Sequence, residues 1–223
     1  MDLYSHQVYL ESQRTKGDDQ VASNLLKSWK VLGLPDFIQL DNELSFRGSN
    51  RHPRSFGIVL RLCLYYGVQP VFIPIGEPWR NGAVERFNDT YNQKFFRRQW
   101  FASYATLKRQ SKYFQRFHNQ YHRYSCLKGK TPNEVIQQSS YKPIKLGPNT
   151  QLPRIDYIPE GNITLLRFIR SDRKLDVFGE KFLVPQELVY SYVKAIVVTS
   201  IQALQVYLGN ELVESFQYSI PSD

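Results

Sequence analysis

Two acidic side chains sit where the surrounding pattern could set carboxylates to work on a divalent cation. Asp41 directly follows a short apolar run containing Phe37, Ile38 and Leu40 that reads as a strand, within Gln39-Leu40-Asp41-Asn42-Glu43-Leu44-Ser45-Phe46. Side chains at the carboxyl ends of strands in an α/β sheet face the crevice where ligands bind. Glu85 lies one turn into the helix expected after Pro78-Trp79-Arg80-Asn81-Gly82, and its neighbours Val84 and Phe87 belong to that helix's apolar stripe. The carboxylate is therefore at the stripe's border, able to face the sheet. Hard oxygen ligands of this kind suit Mg²⁺, which takes one or two carboxylates together with phosphate oxygens and water. Each residue also has a simpler role open to it. An Asp after a strand caps a turn, and a Glu in a first helical turn favours the helix dipole.

The second chemical signal is charge. The chain has 223 residues with 29 Lys and Arg against 20 Asp and Glu, a net charge of +9. Residues 86–130 contain eleven cations and one acid, Asp89, and so net +10, which leaves the remaining 178 residues at −1. Local basicity without a membrane anchor points to a polyanion such as nucleic acid. Twelve aromatic rings are interleaved with those cations, from Phe87 to Tyr124. Such rings either pack inward or stack on bases, and most are expected in the core. Arg86, Lys94, Arg97 and Arg98 follow Glu85 along its helix, where phosphates of a bound strand would lie, and Trp79 and Arg80 are candidates for closer contacts. A structural RNA-binding protein shares this composition but gives no account of Asp41 and Glu85.

A third constellation is His118, His122 and Cys126, spaced four apart, which a continuous helix would put on one face. Such a face can bind Zn²⁺, but no fourth ligand is evident, and Gly129 and Pro132 break the helix nearby.

The elements that must position these groups follow from periodicity. Val21, Ala22, Leu25, Leu26, Trp29 and Leu32 recur at helical spacing, with Asp18 or Asp19 as cap and Gly33 as terminator. Leu3 to Glu11 reads as a strand, Phe37 to Leu40 as another, Ser55 to Tyr66 as a helix ended by Gly67, and Val68 to Ile75 as a third strand. Asn81 is an N-cap candidate for the helix carrying Val84, Phe87, Tyr91 and Phe95. A helix over Leu107–Tyr121 follows, then Thr131-Pro132-Asn133-Glu134, a capping box with proline at the first helical position. Residues 141–160, with four prolines and little periodicity, read as a linker. Beyond Gly161 come six short strands, two of them joined by Gly209-Asn210, a two-residue hairpin signal. This pattern predicts an α/β domain over 1–140, a linker over 141–160 and a small β-barrel over 161–223.

No stretch approaches the ~20 apolar residues of a membrane helix. The first residues carry no signal-peptide pattern, and Cys63 and Cys126 cannot build a disulfide framework. A cytoplasmic protein without a membrane partner is expected.

Taken together, several of these blocks resemble one family. Leu40-Asp41-Asn42 with Phe46, then Tyr66-Gly67-Val68, then Pro78 and Asn81-Gly82-Ala83-Val84-Glu85-Arg86-Phe87-Asn88 look like the second and third acidic motifs of the retroviral-integrase superfamily, which includes many bacterial insertion-sequence transposases. Tyr121, Arg123, Leu127, Thr131-Pro132 and Glu134 resemble the segment that closes its catalytic domain, and the C-terminal strands resemble the small barrel of such transposases.

The resemblance implies a ribonuclease H-like core in which three carboxylates hold two Mg²⁺ (or Mn²⁺) ions, a pair that clamps an in-line displacement at phosphorus. By motif match Asp41 is the second catalytic, metal-binding carboxylate and Glu85 the third; Arg80, Asn81, Arg86, Lys94, Arg97 and Arg98 are the DNA-binding candidates. DNA, as transposon ends and target, and further copies of the chain are the implied partners. Two departures matter. Glu43 stands where the family has glycine after Asp-Asn, and Asp2 matches a noncatalytic Asp that lies after the family's first strand. The expectation is therefore an N-terminally truncated core lacking the first carboxylate, with little or no strand-transfer activity. The alternative is a non-catalytic DNA-binding remnant or regulator.

Overall fold

The computed structural model of the chain describes residues 1–15, 17–49 and 51–221. In chain order the elements are α1 (Asp18–Leu32), β1 (Phe37–Leu40), α2 (Leu44–Arg47), α3 (Ile58–Tyr65), β2 (Gln69–Phe72), α4 (Gly82–Lys94), α5 (Tyr104–Tyr121), α6 (Pro132–Gln138), β3 (Asn162–Phe168), β4 (Lys174–Val177), β5 (Glu180–Leu183), β6 (Tyr192–Val198), β7 (Ala203–Leu208) and β8 (Glu211–Gln217). Neither helix nor strand occurs between Gln138 and Asn162. The chain divides into two compact units, one made of Met1–Thr15, Asn24–Leu34 and Gly82–Thr150, the other of Lys16–Ser23, Pro35–Asn81 and Gln151–Asp223.

The second unit holds a mixed six-stranded sheet in the order β1-β2-β3-β6-β7-β8. β1, β2 and β3 are parallel, as crossover connections require, and β3, β6, β7 and β8 are antiparallel, with short links from β6 to β7 and from β7 to β8 and with β4 and β5 between β3 and β6 along the chain. The core gathers Leu40, Phe72, Ile163, Leu165, Val197 and Tyr218 with the inward side of α3. Five of the eight α3 residues are buried, a helix apolar nearly all round because little of it meets water. Gly161 lies so close to Leu64 that an added Cβ would stand 2.8 Å from its Cδ2.

The expected small barrel does not close among the described residues. β4 and β5 pair only with each other as a separate two-stranded sheet, while β3 continues the sheet begun by β1 and β2. Backbone donors and acceptors that a barrel would turn back on β8 are used instead in the parallel pairing of Val71 with Thr164 and Phe72 with Leu165.

The first unit is built on rings. Phe114 of α5 meets Phe87, Tyr91 and Phe95 of α4 at centroid distances of 6.4, 5.4 and 5.1 Å. Phe87 and Phe95 are thus core, with Tyr91 and Phe114 partly buried against them, whereas the expectation that most of the interleaved rings are core does not hold: Phe96, Trp100, Tyr113, Phe117 and Tyr121 are exposed. Ser103 caps α5 through a bond from Thr106 N, and Thr131 and Glu134 form the full capping box of α6. The expected strand over Leu3–Glu11 is absent. Side chains of α5 take the place of a neighbouring strand: Asn119 both accepts from Val8 N and donates to Val8 O, at 3.0 Å each, and Gln115 Oε1 accepts from Leu10 N at 2.8 Å. Lys112 donates to Leu10 O. The segment is extended, with its polar backbone satisfied by amides rather than by a ladder.

Candidate functional site

Asp41 occupies the place its sequence context assigned, the residue after the carboxyl end of β1, where Leu40 O accepts from Ile73 N at 3.1 Å. Its side chain is exposed, and Oδ1 accepts from Glu43 N at 3.0 Å, closing the turn that leads into α2. The turn-capping role is therefore realised, and the second carboxylate oxygen has no hydrogen-bond partner among the described residues.

Asn42 is held from two sides. Its Nδ2 donates to Ile73 O at 2.8 Å, and its Oδ1 accepts from Arg167 Nη2 at 2.8 Å. Arg167 comes from β3 and is buried; it also donates through Nη1 to Ile73 O and Leu166 O and through Nε to Asp176 O. No carboxylate among the described residues pairs with it, so four oxygen acceptors carry the cation. Burial pulls its pKa down from 12.5 to about 10, against the attraction of Asp176. Sequence reasoning missed Arg167 altogether. Its only signal is a charged residue inside an otherwise uncharged strand, Ile163 to Ile169.

The 3₁₀ turn Pro78–Asn81 precedes α4. Arg80 Nε donates to Glu77 Oε2 at 2.6 Å, its guanidinium lies 4.6 Å from the Tyr192 ring centroid, and Tyr192 donates to Glu77 Oε1 at 2.7 Å. The bond from Arg80 holds the Glu77 carboxyl below its usual range. Asn81 Oδ1 accepts from Gln39 Nε2 at 2.6 Å. Both DNA-binding candidates thus have internal partners, and the side-chain oxygen through which Asn81 would cap α4 is engaged by β1. Trp79 is exposed.

Glu85 is exposed in the first turn of α4 and belongs to the first unit, whereas Asp41 belongs to the second. Arg86, Lys94, Arg97 and Arg98 are all exposed and pair with no acid among the described residues. Arg98 instead donates from Nε to Gln93 O at 3.0 Å. Of the eleven cations between 86 and 130, Lys108 and Lys112 are held by Glu11 at 3.1 and 3.0 Å, and Arg123 by Glu134 at 3.2 Å. The other eight have no ion-pair partner among the described residues.

The fit of a divalent cation rests on the donors. Among the described residues no group of three or more His, Cys, Asp or Glu side chains could hold a metal ion. Asp2 is spent on its own turn, accepting from Tyr4 N, Ser5 N and the Ser5 hydroxyl. The set among the described residues falls short of a two-cation centre. The zinc alternative fails locally, because α5 ends at Tyr121, leaving Cys126 exposed on a separate 3₁₀ turn. His118 is buried, stacks on His122 at 5.0 Å and has Nε2 3.1 Å from the Tyr124 hydroxyl. Burial, with the nearby His122, lowers its pKa from 6.5 to about 4.

An α/β protein with a mixed sheet, a strand-tip Asp and a cationic helix behind a Glu is the class that this geometry defines. Residues 66–132 match the family described as integrase core domain, a match that supports the resemblance to the retroviral-integrase superfamily over that segment. The mixed sheet is consistent with the ribonuclease H-like core of that superfamily. No curated protein matches the chain. No helix among the described residues is long and apolar enough to cross a membrane.

Proposed function

We propose that the chain is a DNA-binding protein of the integrase–transposase type, of the bacterial insertion-sequence kind, which holds transposon ends and target DNA along α4 and the turn after it and works as a multimer in the cytoplasm. The observation that carries this reading is a coincidence within residues 66–132: the integrase-core match and four exposed cations without acidic partners among the described residues, Arg86 and Lys94 on the helix that bears Glu85 and Arg97 and Arg98 on the 3₁₀ turn that follows it. In this reading residues 1–140 act as the core, 141–160 as a linker and 161–223 as the smaller C-terminal part.

Asp41 and Glu85 are the acidic side chains offered to Mg²⁺ or Mn²⁺. The shortfall in donors favours the second form of the proposal, in which the chain alone binds DNA and joins assemblies without strand transfer of its own.

The test is the salt dependence of DNA affinity. Each phosphate neutralised contributes about −0.9 to the slope of log affinity against log salt. The Lys94→Ala/Arg97→Ala/Arg98→Ala variant is expected to flatten the slope by up to about 2.7. An unchanged slope moves the DNA surface elsewhere. Efficient Mg²⁺-dependent joining of DNA ends by the purified 223-residue chain, lost in Asp41→Asn, overturns the non-catalytic form and restores the enzyme.

A further inference from the structure

A cleft of about 380 Å³ opens in the first unit among the last turn of α1, the α5 face, α6 and residues 141–145. Its apolar lining is Val31, Leu32, Ile136 and Pro143, with the half-exposed Tyr141 beside them. The charged lining is Arg116, Lys142 and Lys145, all exposed, and no acid contributes to it. None of the three cations has an ion-pair partner among the described residues. A volume of this order lies within the usual range for small-ligand sites, roughly 300–1,000 Å³.

The cleft wall is fixed rather than draped. Leu34 N donates to Ile144 O at 2.7 Å and Lys30 Nζ to Pro148 O at 2.9 Å, while Gly33 lies so near Pro143 that a Cβ there would stand 2.4 Å from the proline Cβ. Lys142 and Lys145 therefore project from a segment tied to the end of α1. The carbonyls at that helix end attract lysines in their own right, typically by 0.3–1 kcal/mol. They give no account of Arg116, which comes from α5 and completes a threefold positive rim.

The polar lining distinguishes structural amides from a free one. Asn119 is engaged with Val8 on both its oxygen and its nitrogen, and Gln7 Nε2 donates to Asn133 Oδ1 at 2.8 Å. Gln120 is exposed and has no hydrogen-bond partner among the described residues. Three cations without a counter-charge call for a multiply charged anion. An apolar floor beside a phenol ring calls for a flat, partly apolar group, and an unengaged carboxamide for a ligand with its own donor and acceptor edge.

We infer that this cleft binds a nucleoside monophosphate unit, with the phosphate at Arg116, Lys142 and Lys145 and the base on the apolar floor beside Tyr141, its edge toward Gln120. The assignment uses neither Asp41 nor Glu85 and stands apart from the reading of the basic helix. The same unit can arrive as a free nucleotide or as the 5′-phosphorylated end of a single strand.

Calorimetric titration and amide chemical-shift mapping of the full chain with four probes decide the matter: thymidine 5′-monophosphate, thymidine, inorganic phosphate and a 5′-phosphorylated tetrathymidylate. The monophosphate is expected to saturate and to shift residues 116–120 and 141–145, and to bind more tightly than thymidine or phosphate. Losing charge-assisted bonds in Lys142→Ala/Lys145→Ala should weaken it about tenfold or more, and Gln120→Ala about fivefold. Tighter binding of the tetranucleotide, lost in the same variants, assigns the strand end as the source; equal binding assigns the free nucleotide. The inference is overturned by a monophosphate that does not saturate, by phosphate binding as tightly as the nucleotide, or by affinities indifferent to both variants.

Discussion

The bond between Arg167 and Asn42 links a late strand of the sheet to the turn that presents Asp41, and its strength can be isolated with a double-mutant cycle. Arg167→Met removes the donor to Asn42 Oδ1, Asp176 O, Ile73 O and Leu166 O. Ile73 O keeps its bond from Asn42 Nδ2, and Leu166 lies in the β3–β6 ladder opposite Lys194, so the groups most exposed to loss are Asn42 Oδ1 and Asp176 O. Orphaning a buried acceptor costs about 1–3 kcal/mol. Part is returned because the guanidinium no longer has to be desolvated, the same effect that draws its pKa to about 10. A net loss of about 2–4 kcal/mol is expected for the single variant. Asn42→Ala removes the other end of the 2.8 Å bond. If that bond holds the turn, the double variant is less destabilised than the sum of the singles by about 1.5–3 kcal/mol, the worth of a hydrogen bond to a charged group. Urea unfolding of the four proteins with a common m-value measures the coupling. Additivity to within about 0.5 kcal/mol would show that Arg167 and Asn42 act independently and refute the linkage.

Acid titration should reveal two separate windows. His118, held near pKa 4 instead of 6.5, is neutral in the folded chain, so stability is full above pH 6.5 and falls by about 2–3 kcal/mol on the way to pH 4, followed by calorimetry; an NMR titration placing its protonation near pH 6.5 defeats the argument. Glu11 is disfavoured by burial, but its bonds to Lys112 and Lys108 prevail and hold it at about 2 instead of 4.5, so its stabilisation is present above pH 4.5 and lost toward pH 2. Because the surrounding lysines are partly solvated, Glu11→Gln should cost only about 1–2 kcal/mol at pH 7, with a gap from wild type that closes below pH 3; a gap constant with pH excludes this cause. Gly33 has φ +99° and no room for a Cβ against Pro143, so Gly33→Ala should cost about 2 kcal/mol and lower Tm by roughly 4–8 °C; an unchanged melting curve would show that the segment after α6 is not tied there.

What was legible in the sequence was local. Gly33 ends α1, Thr131 and Glu134 close the capping box, and Gly209-Asn210 turns β7 into β8, because each is decided by residues a few positions apart; Asp18 and Asp19, expected as caps, lie within the first turn of α1. What was not legible depends on partners far along the chain. The alternation in Leu3–Glu11 is that of a strand, yet its backbone is satisfied by Asn119 and Gln115, more than a hundred residues away. The helix expected from Ser55 starts at Ile58, since the Arg61 side chain binds the carbonyls of Ser55 and Phe56. The six C-terminal strands have the lengths of a barrel, and only the parallel pairing of β3 with β2 shows that they extend a sheet.

The site follows the same rule. Asp41 at a strand end and Glu85 in a first helical turn are positions that short motifs specify, and the structure leaves both there. Arg167 bonds Asn42, the neighbour of Asp41, from 125 residues further along the chain, and nothing near it in sequence marks a cation as buried. Charge shows the contrast most sharply. A count between Arg86 and Lys130 treats eleven cations as equivalent, whereas Glu11, outside that stretch, takes Lys108 and Lys112, and Glu134 takes Arg123. An ion pair formed inside the fold removes a cation from the number free to release counterions from DNA. The relevant surface is therefore the total basicity less what the chain's own acids neutralise, which discounts Lys108, Lys112 and Arg123 and leaves Arg86, Lys94, Arg97 and Arg98 among the eight cations still open to a polyanion.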